Sequence, residues 1–146
     1  MKKFIFIVLL TLCSLHIKAQ EQSKHEQIKA LRVAYFTEKL DLSKNEAQFF
    51  WPVYNEYDEK VHELRHNDFK NILKEMRQKG LDNYSDAEAN ATLDKIMEID
   101  KEIFEERVKL IKNLKQGLSA KKIIMLKKVE DDFYRELIAK LRKKGK

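Results

Sequence analysis

An all-α chain of four helices, two of them long, is indicated by three observations. Apolar residues recur at helical spacing, and no stretch alternates as a strand would. Beyond Ala19 only Pro52, Gly80 and Gly117 punctuate the backbone before the tail. Ser43 with Glu46 and Ser85 with Glu88 have capping-box spacing, in which each side chain satisfies an orphan backbone donor at a helix start.

Positive Met1-Lys2-Lys3, an apolar stretch from Phe4 to Ile17, and Lys18-Ala19 before Gln20 read as a secretory leader over 1–19. Its apolar stretch is shorter than the roughly 20 residues that span a bilayer, which disfavours an uncleaved anchor. Leu12 precedes Cys13 where a lipoprotein signal has a small residue, so Cys13 reads as ordinary leader. Its removal leaves no cysteine, and packing alone must hold the single domain expected over 20–146. Ile28, Leu31 and Ala34 or Tyr35 give a first helix ending near Leu40, with a turn at Asp41-Leu42-Ser43 after it.

A second helix starts at the Ser43 cap. Phe50, Val53, Tyr57, Val61, Leu64 and Ile72 fall on one stripe, which continues to Met76 before Gly80 ends it. Pro52 lies inside and is expected to kink this helix rather than divide it. Ser85 opens a third helix with Ala89, Leu93, Ile96 or Met97, Ile103 or Phe104, Val108, Ile111 and Leu114, ending at Gly117. The short loop before Ser85 makes the two a hairpin. Ser119 opens a fourth helix with Ile123, Leu126, Val129, Phe133, Leu137 and Leu141.

Length then bears on architecture. The second helix, at about 36 residues, would extend about 54 Å, whereas a globule of this size has a diameter of about 36 Å. A thin, elongated domain is expected, with a second copy covering one apolar face as a twofold homodimer.

Charge narrows the partners. Loss of Lys2, Lys3 and Lys18 with the leader lowers the formal net charge from +6 to +3. Much of that excess sits in Lys140, Arg142, Lys143, Lys144 and Lys146, which no acid accompanies. Two readings remain: a solvated helix end complementing the helix dipole, or contact with an anionic membrane surface or an acidic partner. Acids interspersed elsewhere, with the export signal, argue against nucleic acid.

Two clusters carry the functional candidates. Tyr35, Phe36, Phe49, Phe50, Trp51, Tyr54 and Tyr57 crowd around one turn, and on an ideal wheel Phe49 and Trp51 lie about 100° to either side of Phe50. Phe69 shares the angle of Trp51, so Phe49, Trp51 and Phe69 are candidate contacts for unfolded or signalling proteins, unless packing or a dimer buries them. His62-Glu63-Leu64-Arg65-His66 matches the zinc-peptidase string H-E-x-x-H. No third-ligand extension comes after His66, and an isolated helix does not wall a cleft. His62 and His66 as zinc or other transition-metal ligands beside Asp58 and Glu59 fit better than proteolysis, against ordinary exposed histidines. No catalytic triad, glycine-rich phosphate loop or paired-cysteine site is discernible, so no catalytic residue is assigned.

With the leader and four helices, the turns Leu42-Ser43-Lys44-Asn45-Glu46 and Leu118-Ser119-Ala120-Lys121-Lys122 resemble the repeated L-T-x-x-Q of the Spy/CpxP family of periplasmic stress proteins. Serine replaces threonine in both, Glu46 stands for the first glutamine, and Lys122 replaces the second, so Ser119 caps without a complete box. The resemblance, over roughly 23–143, implies an interlocked, cradle-shaped helical homodimer in the periplasm that acts without ATP as a chaperone. It also implies an alternative, an envelope-stress or metal sensor signalling to a membrane-anchored regulator, with His62 and His66 as sensing residues.

Overall fold

The computed structural model describes residues 26–144, with the side chain of Lys144 excepted. The leader assigned to 1–19 and the final lysine of the tail lie outside the described residues. Every regular element described is helical, with no strand among the described residues. They are α1 (26–39), α2 (Lys44–Glu63), a π-helical segment (Leu64–Phe69), α3 (Lys70–Lys79), a short 3-10 turn (Leu81–Asn83), α4 (Asp86–Leu114) and α5 (Ala120–Lys144). Because α2, the π segment and α3 succeed one another without a gap, the described residues form four helical rods. These group into two compact units, one of Ser43–Met125 and one of the residues up to Leu42 and from Leu126 onward.

In the second of these units, α1 ends in a Schellman turn. The amide of Leu42 donates to the Thr37 carbonyl and that of Asp41 to the Glu38 carbonyl, both at 3.1 Å. Asp41 holds the left-handed position at φ 49°, where glycine is usual. Phe36 is fully buried and meets Phe133 of α5 edge-on at 5.7 Å, while Tyr35 tilts against the same ring at 5.5 Å. The Tyr35 hydroxyl donates to Glu136 at 3.0 Å, and Arg32, itself buried, donates to the Tyr134 hydroxyl.

In Ser43–Met125, α2 begins at the Ser43 cap: its hydroxyl accepts from the Glu46 amide and the Glu46 carboxylate accepts from the Ser43 amide. The same reciprocal pair joins Ser85 and Glu88 at the start of α4. Ser119 accepts from the Lys122 amide at 3.4 Å. Helix α2 continues through Pro52, whose ring nitrogen lacks the donor for the carbonyl of Gln48. α4 runs antiparallel to the rod formed by α2, the π segment and α3, with Lys109 paired to Glu56 at one end and Lys79 to Glu88 at the other. Between those pairs Leu64, Ile72 and Ile99 form a buried cluster, with Phe69, Met76, Ile96 and Ile103 packed against it.

The π segment explains that cluster. Each π turn holds one residue more than an α turn, so the residues beyond it are rotated by about 100° relative to an uninterrupted helix. On an ideal wheel Phe69 and Met76 form a separate flank beside the main stripe. With the extra residue inserted after Glu63, they come round onto the face of Leu64 and pack against α4.

Candidate functional site

The exposed apolar surface of Ser43–Met125 lies mainly on α4. Leu93, Met97, Phe104 and Val108 are 55, 67, 67 and 49% exposed. At 100° per residue they form one row about 22 Å long, roughly a third of a turn from the face carrying Ile99, Leu110 and Leu114. The sequence left Ile96 or Met97, and Ile103 or Phe104, as alternatives. Tertiary packing resolves both: Ile96 and Ile103 turn to the core, and Met97 and Phe104 turn out. The row is bordered by acids and bases, Asp94, Asp100, Lys101 and Glu105 among them.

The aromatic candidates are placed differently from the flank read off the sequence. Phe49 lies across the backbone of Gly117, so close that a methyl group there would sit 2.5 Å from Cδ1 of its ring. Trp51 is half-buried, edge-on to Phe50 at 4.9 Å and to Tyr54 at 6.1 Å. Phe69 is half-buried against the Leu64–Ile72–Ile99 cluster because of the π rotation. Tyr35 and Phe36 pack on Phe133, in the other unit from Phe49 to Tyr57. The seven aromatics adjacent in sequence therefore serve two cores.

The histidines do meet. The rings of His62 and His66 stack at 5.0 Å with only 13° between their planes. A face-to-face stack aims the in-plane lone pairs along near-parallel directions, while a shared metal needs them to converge. Lys70 donates to Nε2 of His66 at 3.3 Å when that nitrogen carries no proton, occupying the lone pair a metal would use. Among the described residues, no group of three or more His, Cys, Asp or Glu side chains is placed to hold a metal ion.

Electrostatics single out the caps. The Glu46 carboxyl is held down to about 2, first by the hydrogen bond from Lys122 and then by the Ser43 amide and hydroxyl. Glu88 is held down to about 2 by Lys79 and then by Ser85. Lys122, at the position where the resembled motif carries glutamine, instead reaches Glu46 at 2.8 Å and ties the start of α5 to the start of α2.

No family model, curated protein or solved structure matches this chain.

Proposed function

We propose that the chain is an exported, periplasmic protein-binding protein of the Spy/CpxP type, chaperone-like, independent of ATP and paired as a homodimer. The observation that carries the reading is the α4 row, four large apolar side chains about half exposed or more along one helix face. A row of that length suits an extended, partly unfolded polypeptide, because apolar area removed from water stabilises the contact by about 25 cal/mol per Å². Alternating charges at its border suit a client's polar groups without selecting one sequence. Met97 is an adaptable part of such a surface, since an unbranched thioether fits many shapes. No reaction is assigned to the chain. Phe49 and Phe69 leave the contact surface in favour of α4, and Trp51 stays as a partly open neighbour of Phe50.

The test is suppression of aggregation of a denatured client, at up to equimolar ratio, by the chain beginning at Gln20. Met97→Asp with Phe104→Asp weakens suppression at least tenfold while leaving the melting temperature within a few degrees, because both side chains already face water. Suppression unchanged by that pair would remove α4 from the site. Scattering that shows a single round particle would overturn the paired assembly.

The second reading is a sensor, resting on the adjacency of His62 and His66, whose stack and Lys70 contact would have to rearrange before they shared a metal. Metal binding would have to break the Lys70 contact first. Zinc calorimetry on the wild type and on His62→Ala and His66→Ala decides it: heats that do not differ end the metal version. The peptidase reading ranks third, and any proteolysis would have to vanish in Glu63→Gln.

A further inference from the structure

The last turns of α5 combine two features that a merely solvated helix end does not need together. Tyr134, Ile138 and Leu141 are 42, 49 and 59% exposed, and their spacing of four and three residues sets them on one face. Around them Lys140, Arg142 and Lys143 are exposed, and the sequence continues to Lys144 and Lys146. In the middle of the same helix the bases have acids within a turn: Lys127 with Asp131, Lys128 with Asp132, and Arg135 with Asp132. After Glu136, which accepts from Tyr35, the sequence has no acid at all. Charge compensation therefore stops after Glu136, over the stretch that carries Ile138 and Leu141.

We infer that this end of α5 is a contact site for the surface of an anionic phospholipid bilayer. The helix lies along the interface with Ile138 and Leu141 toward the acyl chains and Lys140, Arg142 and Lys143 at headgroup phosphates, while Tyr134, its hydroxyl held by Arg32, sits at the edge of the contact. Tyrosine suits such a level, with an apolar ring and a polar tip. Among the described residues no helix is long and apolar enough to cross a membrane, which fits a segment that lies on the bilayer rather than through it. Beyond Glu136, an apolar pair, Ile138 and Leu141, with only basic charges beside it matches a two-dimensional array of anions over hydrocarbon. The α4 row differs in having both signs of charge at its border, so the two exposed surfaces have different complements. The inference is independent of client binding on α4.

The experiment is vesicle co-sedimentation of the chain lacking residues 1–19, a deletion that leaves every described helix intact. Vesicles of phosphatidylcholine alone are compared with phosphatidylcholine containing phosphatidylglycerol. The chain pellets with the anionic vesicles and stays soluble with the neutral ones. Raising salt from 0.1 M to 1 M shortens the screening length from about 10 Å to about 3 Å and releases it. Each base near the surface adds on the order of fivefold to binding, so Lys140→Gln with Arg142→Gln and Lys143→Gln weakens it about a hundredfold. Ile138→Ser with Leu141→Ser weakens it tenfold or more with unchanged circular dichroism, since both side chains are exposed. Failure to pellet with anionic vesicles overturns the inference. So does equal binding to a soluble polyanion such as heparin with no effect of the Ile138/Leu141 pair, which would assign the tail to acidic polymers.

Discussion

Gly117→Ala should destabilise the protein, although the backbone there is compatible with alanine. Gly117 does not hold a positive φ, so the usual conformational reason for a glycine is absent. The reason is Phe49. A Cβ at position 117 would stand 2.5, 2.6 and 2.8 Å from Cδ1, Cε1 and Cγ of that ring, where ordinary carbon contacts are about 3.5–4.0 Å. The ring must retreat by about 1 Å, or the turn after α4 must open by as much. Overpacking of this kind costs about 1–3 kcal/mol, while replacing glycine by alanine returns about 0.4–1 kcal/mol by restricting the unfolded chain. The net loss is about 1–2 kcal/mol, a fall of about 4–10 °C in melting temperature for a chain of this size. The assay is thermal unfolding monitored by helical circular dichroism, for the single variants and for Gly117→Ala combined with Phe49→Leu. Truncating the ring relieves the clash, so the double variant loses less than the sum of the two single losses, by about 1 kcal/mol. Gly117→Ala melting at or above the wild type, with additive losses in the double variant, would refute the reasoning.

The geometry makes three further outcomes testable. The Glu46 and Glu88 carboxyls fall from an ordinary 4.5 to about 2, so the stability they contribute is complete above pH 4.5 and lost as pH drops toward 2. Glu46→Gln with Glu88→Gln should therefore flatten the fall of the melting temperature across that window, and an unchanged acid profile counts against the caps. Asp41→Gly should raise stability by about 0.5–1 kcal/mol in urea unfolding, because a left-handed φ is less strained for glycine. Ile99→Ala should lose about 2–4 kcal/mol and Met97→Ala less than about 0.5 kcal/mol, a contrast between two faces of α4 that comparable losses would contradict.

How much was legible depends on the range of the interaction. Helical class and rod boundaries come from periodicity, from Gly80 and from hydroxyl groups three residues ahead of a glutamate, all of which act within one or two turns. Pro52 was correctly no divider of its helix, whereas the π segment at Leu64–Phe69 left no recognisable mark in composition. Its one-residue insertion brought Phe69 and Met76 round from the flank of an ideal wheel to pack against the core. Burial of Phe49 was one of the readings left open, but its partner was not legible, because Gly117 is far away in sequence. His62 and His66 were readable as a pair, but the intervention of Lys70 was not.

On its own, then, the order of residues determined that this chain is helical, where its rods start and stop, and that their ends are capped, because propensity, capping and glycine punctuation are local free energies. Tertiary structure alone decided which of two adjacent apolar rows on α4 is buried, because Ile96 competes with Met97 and Ile103 with Phe104 for one partner surface. The same holds for Lys122, a residue that cannot close its own capping box and instead reaches Glu46 across the fold. Burial is a property of two surfaces meeting, and only the folded chain specifies the second one.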